Sequence, residues 1–118
     1  MIFGAHVIVF THDAEADRAF FRDVLGLASV DSGGGWLIFA MPPSEVAFHP
    51  TDGAATNEIY LLCDDLAEEM QRLEAKGVAF TQVDEERWGT VTRFTLPGGT
   101  TIGLYQPKHP TALTRLTY

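Results

Sequence analysis

Two stretches of this sequence are punctuated alike, and together they restrict the chain to a paired architecture. Asp13 and Gly26 stand thirteen residues apart, and so do Asp64 and Gly77. Asp13 is placed to cap one helix N-terminus and Asp64 or Asp65 the other, and each Gly to end a helix in the left-handed backbone conformation. In Ala14 to Leu25, Ala16, Phe20 and Val24 form an apolar series joined by Phe21 and Leu25, with Glu15, Asp17, Arg18 and Arg22 on the wetter face. In the second stretch Leu66, Met70 and Leu73 make the apolar stripe, and Glu68, Glu69, Arg72, Glu74 and Lys76 the solvated side. Asp65 with Glu68 has capping-box spacing.

Strand-like segments surround both helices in the same order. Met1 to Phe10 opens the first half; Leu27 to Val30, Trp36 to Met41 and Glu45 to His49 follow its helix. The glycines of Asp31–Gly35 and the pair Pro42–Pro43 separate these segments. Glu58 to Cys63 opens the second half, and Val78 to Val83 follows its helix. A closing hairpin then runs from Trp88 to Pro107 and turns at Pro97–Gly98–Gly99. The sequence thus predicts strand, helix and three strands, given twice. The halves span roughly 1–50 and 56–107 of a single domain, 1–118, with a tail at 108–118. A chain of 118 residues gives neither half enough apolar surface to be secure alone.

Charge and cysteine content narrow the function. Acidic side chains outnumber basic ones 16 to 8, for a formal charge of -8, which disfavours nucleic acid and anionic membranes as partners. No apolar run is long enough to span a bilayer and no signal-peptide pattern opens the chain, so a cytoplasmic protein is expected. Cys63 is the only cysteine, which excludes an intrachain disulfide, and its apolar neighbours point to a buried structural thiol. No Ser-centred nucleophile elbow, phosphate loop, redox Cys pair or dinucleotide fingerprint is present.

HVIVF followed by the Asp13 helix, AFFRDVLGL from Ala19 to Leu27, and the closing LPGGTTIGLYQP together resemble the vicinal oxygen chelate superfamily. That group includes glyoxalases, bleomycin-resistance-type binding proteins and extradiol dioxygenases. The resemblance runs from His6 to Pro107 and implies an α+β fold of paired βαβββ modules. Their strands would form a curled mixed sheet around a cleft, with the helices outside. It also implies a homodimer, as in many members of this length. Metal-using members take one ligand from the first and one from the final strand of each module. Here those positions fall on His6, Ala47, Glu58 and Gly103, with His49 on the strand parity of Ala47. Ala47 and Gly103 have no ligating side chain, so a complete family metal site is not expected.

Strand alternation places His6, Ile8 and Phe10, then Glu58, Tyr60 and Leu62, then Gly103 and Tyr105 towards the cleft. Among the aromatic residues, Trp36 and Trp88 are the cleft candidates because they flank glycine-rich or charged turns. Arg93 is placed either to recognise an anion or to pair with an acidic surface residue. The expected ligand-binding set is therefore His6, Trp36, His49, Glu58, Tyr60, Trp88, Arg93, Gly103 and Tyr105. Two function classes follow. One is a binding protein that sequesters a small organic molecule and needs no cofactor. The other is a metal-dependent lyase, isomerase or dioxygenase in which His6, His49 and Glu58 hold Fe, Mn, Zn or Ni. A structural or regulatory dimer with a vestigial cleft is a third, plainer reading.

Overall fold

The computed structural model describes residues 7, 9, 11–45, 47–48, 50–54 and 56–110. The opening strand expected over Met1 to Phe10 lies almost wholly outside these residues, as do His6, His49 and positions 111–118 of the tail. The order is α1 (Ala14–Ala19), a π-helical turn (Phe20–Val24), β1 (Ser29–Asp31), β2 (Leu37–Phe39), β3 (Tyr60–Leu62), α2 (Leu66–Glu74), β4 (Asp84–Glu85), β5 (Gly89–Thr95) and β6 (Thr101–Pro107). No helix among the described residues is long and apolar enough to cross a membrane.

Both helices are capped by an Asp and ended by a Gly, with Asp65 rather than Asp64 as the second cap. Asp13 accepts from the Ala16 amide and Asp65 from the Glu68 amide, each at 3.0 Å. Gly26 and Gly77 end their segments at φ +71° and +92°, where any Cβ would strain the backbone. The first helix changes character at Phe20, where the Leu25 amide reaches back five residues to the Phe20 carbonyl. This wider turn lets the adjacent Phe20 and Phe21 both pack on the core, along with Val24 and Leu25.

Four strands form one sheet in the order β3-β6-β5-β4, with β3 parallel to β6 and the other pairs antiparallel. Its spine is the β5–β6 hairpin, in register from Gly89↔Pro107 to Thr95↔Thr101. The alternation of β5 and β6 divides their side chains between two faces. Phe94, Ile102 and Leu104 point towards the helices and join Leu66, Leu73 and Leu96 in the core. Leu73 is 1% exposed, and burying such a side chain contributes roughly 1.5–3 kcal/mol. The other face carries Tyr60, Leu62, Val91, Arg93, Gly103 and Tyr105.

Three expectations need correction. The curled mixed sheet is not what the described strands form. Among the described residues, β1 and β2 are three residues long and pair only with each other, while β3 and β4 stand at the two ends of a separate four-stranded sheet. A curl needs an unbroken ladder, and among the described residues none links the two sheets. Second, Glu45 to His49 has no strand at its described positions, and Phe48 is 88% exposed there. Third, Val78 to Val83 runs beside β5 without becoming a strand. Thr81 exchanges backbone and side-chain bonds with Thr92 and Arg93, and a ladder with β5 forms only at β4.

Asp17 also departs from its expected solvated position. It is buried, and its Oδ1 accepts from the Gly98 amide at 2.6 Å. The other oxygen, Oδ2, has no hydrogen-bond partner among the described residues. A Cβ at Gly98 would lie 1.7 Å from Thr11 Oγ1 and 2.6 Å from Asp17 Oδ2, so glycine is what allows this contact. The first-half helix is thereby pinned to the turn of the closing hairpin.

Candidate functional site

The sheet face away from the helices carries a cluster of three aromatic rings. Tyr60 stands at the start of β3, Tyr105 on β6, and Trp88 just before β5. The three rings meet edge to face: Tyr60–Trp88 at 6.2 Å, Tyr60–Tyr105 at 5.6 Å and Trp88–Tyr105 at 5.1 Å between centroids, with interplanar angles of 83–88°. Such geometry sets the positive edge of one ring against the negative face of the next.

Two glycines make this packing possible. A Cβ at Gly103 would lie 2.2 Å from Tyr60 Cδ1, and one at Gly89 would lie 2.8 Å from Tyr105 Cδ2 and 2.7 Å from the Gln106 carbonyl. Neither glycine has a positive φ, so close approach rather than backbone conformation explains both. The space left at Gly103 is taken by the Tyr60 ring.

Polar groups edge the cluster. Arg93 faces Gly103 across the β5–β6 ladder, and its Nη2 donates to Tyr60 Oη at 3.0 Å. Tyr60 Oη in turn donates to Glu58 Oε2 at 3.5 Å. The bond to Tyr60 holds the guanidinium further in its charged form; partial burial opposes this, and the Glu58 and Asp84 carboxylates add to it. Tyr105 Oη lies 3.1 Å from His109 Nε2, while His109 Nδ1 lies 2.8 Å from the Pro110 carbonyl. A carbonyl only accepts, so Nδ1 carries a proton and the ring is oriented with Nε2 towards the Tyr105 hydroxyl. Burial raises the Tyr105 phenol above its ordinary value, and the charges of Glu45 and Tyr60 add to the shift.

Six of the nine expected residues, Glu58, Tyr60, Trp88, Arg93, Gly103 and Tyr105, thus lie together. Trp36 lies apart on the β1–β2 turn, 63% exposed, with Arg18 over its ring at 4.6 Å. His6 and His49 are outside the described residues. His109 and Glu45 were not expected. The signal for His109 was parity: it continues the series 103, 105, 107 beyond the strand. A cavity of about 560 Å³ opens elsewhere, between Phe20, Val24, Val78, Phe80 and Phe94 at the rim of the core, and shares only Arg93 with the cluster.

Among the described residues, no group of three or more His, Cys, Asp or Glu is placed to hold a metal ion. At the two second-module ligand positions, Glu58 is engaged by Tyr60 and Gly103 offers no donor. Of these two positions only Glu58 carries a donor side chain, and its expected partners His6 and His49 lie outside the described residues. Cys63 is a poor nucleophile as well, since burial first, and the nearby Glu69, Asp64 and Asp65 next, push its thiol up to about 11.

Comparison with known proteins places this geometry in context. The family model described as Glyoxalase/Bleomycin resistance protein/Dioxygenase superfamily matches residues 5–104. No curated protein matches the sequence significantly. Among solved structures, TnmS3, an antibiotic binding protein from Streptomyces sp. CB03234, is 26% identical with a TM-score of 0.64, over 92% of this chain and 100% of that one. Lactoylglutathione lyase from Agrobacterium tumefaciens is 18% identical with a TM-score of 0.62, over 86% and 90%. The fosfomycin resistance protein FosX from Listeria monocytogenes is 19% identical with a TM-score of 0.60, over 98% and 100%. The latter two likenesses concern the fold alone.

Proposed function

The chain belongs to the glyoxalase/bleomycin resistance protein/dioxygenase superfamily, and from that premise we propose that it is a small-molecule-binding protein of the bleomycin-resistance type. One observation carries the reading. Tyr60, Trp88 and Tyr105 are gathered over two glycines on the sheet face that the helices leave uncovered, with a guanidinium at their edge. Aromatic surface with a few fixed polar groups suits a planar organic ligand. TnmS3, similar over nearly the whole chain, is an antibiotic binding protein, which supports the same class here. Sequestration requires neither a metal nor a proton transfer, consistent with a site whose acids and bases are engaged with one another.

The binding unit in this reading is a homodimer. Val30, Trp36 and Phe48 are 66%, 63% and 88% exposed, and a two-stranded ribbon such as β1–β2 gains stability when something covers it. The test uses Trp36→Phe protein, which leaves Trp88 as the sole tryptophan. Titration with a panel of planar aromatic antibiotics should give saturable quenching of Trp88 emission for at least one compound. By calorimetry, Tyr105→Ala should weaken that compound by about tenfold or more, the scale of a lost stacking partner within a site. Absence of saturable binding across the panel, or binding indifferent to Tyr105, would overturn the reading.

A further inference from the structure

We propose that Arg93 is the specificity-determining residue of this site and that the ligand it selects is a planar aromatic bearing an anionic oxygen, a carboxylate or a phenolate. The inference rests on the binding reading above and names its substrate class. Its starting point is where the cations of this acidic chain go. Among the described residues, Arg22 pairs with Asp23, Arg72 with Glu69 and Lys108 with Glu85. All three cations are more than two-fifths exposed, so solvent already screens their charges. Arg18, Lys76, Arg87 and Arg93 make no ion pair among the described residues: Arg18 lies over the Trp36 ring and Lys76 reaches the Asp23 and Val24 carbonyls, while Arg93, half-buried, is the one set at the edge of the aromatic cluster.

Its recorded hydrogen bond, to Tyr60 Oη, occupies Nη2. A guanidinium has five N–H donors in a planar fork that matches the two oxygens of a carboxylate. The fork lies beside the Tyr60 ring, with Cζ 5.8 Å from its centroid, and Tyr60 is one wall of the aromatic cluster. A ring seated against Trp88 and Tyr60 would therefore present an attached anionic oxygen to the remaining donors. The Glu58 carboxylate does not take that place, because it meets Tyr60 Oη rather than the guanidinium. Tyr60 thus separates the two charges, holding Arg93 on one side and Glu58 on the other. The arrangement keeps a cation available within a chain whose net charge of -8 would otherwise repel an anion.

The test compares three probes of one ring shape by calorimetry: 2-naphthoate, 2-naphthalenemethanol and 2-naphthylmethylammonium. 2-Naphthoate should bind at least about tenfold more tightly than the alcohol, as a charge-assisted pair predicts, and the ammonium most weakly. Arg93→Met should erase the preference, and Arg93→Lys should restore only part of it, because a point charge lacks the fork. Equal binding of alcohol and naphthoate, or a preference that survives Arg93→Met, would overturn the inference while leaving the binding site intact. So would a change in solution mass of Arg93→Met with the preference unchanged, since Arg93 would then serve a contact between chains. Failure of all three probes and of the antibiotic panel would overturn both readings together.

Discussion

Replacing Gly103 by alanine adds one methyl group at the most crowded point of the aromatic cluster. The new Cβ would stand 2.2 Å from Tyr60 Cδ1 and 2.4 Å from Cε1, inside any tolerated contact. The backbone at 103 gives no relief and no strain, since its φ is not positive. The Tyr60 ring has to move instead. Trp88 and Tyr105 stand edge-on at 6.2 and 5.6 Å, so a shift of the ring disturbs both and draws Tyr60 Oη from Arg93. Overpacking of this kind costs roughly 1–3 kcal/mol. At this chain length each kcal/mol lowers Tm by roughly 3–6 °C, so Gly103→Ala should melt about 5–15 °C below the parent by calorimetry. A double-mutant cycle isolates the cause. In a Tyr60→Ala background the same substitution should become neutral or stabilise by a few tenths of a kcal/mol, giving a coupling of about 1 kcal/mol or more. An equal cost with and without Tyr60 would refute the packing account of Gly103.

Two further outcomes follow from groups elsewhere in the molecule. Asp17→Ala strands the buried Gly98 amide and should cost about 1.5–3 kcal/mol in denaturant unfolding, whereas Asp17→Asn keeps an acceptor there and should cost clearly less; equal costs would mean the contact does not pin the hairpin. At pH 8 the native Cys63 should react with iodoacetamide about a hundredfold more slowly than in urea, because its thiol is raised from 9.0 to about 11. For a folded-state value above the unfolded one, the matching stability is complete below pH 9 and declines as pH climbs through about 11; a melting temperature level across pH 9–11 would contradict this.

The elements that were readable in the sequence are those specified by neighbours in the chain. α2 carries its cap, its apolar stripe and its terminal glycine within a dozen residues, and the closing hairpin carries its own turn and alternation. Alternation alone also puts Gly103 and Tyr105 on one face, and Tyr60 joins them through the β3–β6 register. What escaped depends on partners distant in sequence. Asp17 sits at a position that periodicity assigns to solvent, and only Gly98, 81 residues away, makes it buried. Gly103 shows that something must approach closely but not that the something is Tyr60. The short β1 and β2 and the run before β4, which meets β5 at Thr81 without forming a continuous ladder, show the same limit. Their β-branched and aromatic residues favour extension, but a ladder exists only where a partner strand arrives.

Strands β5 and β6 assign their residues by turns, one to the helices and the next to the aromatic cluster. A lineage carrying this chain can therefore change what Arg93, Tyr105 or their neighbours recognise while Phe94, Ile102 and Leu104 go on holding the fold. Novelty and robustness occupy alternate letters of the same short text. A substitution at Arg93 alters ligand preference with little penalty in foldedness, one at Phe94 does the reverse, and Gly89 and Gly103, crowded by the rings, answer to both demands. Such a scaffold can be retuned repeatedly without first being rebuilt.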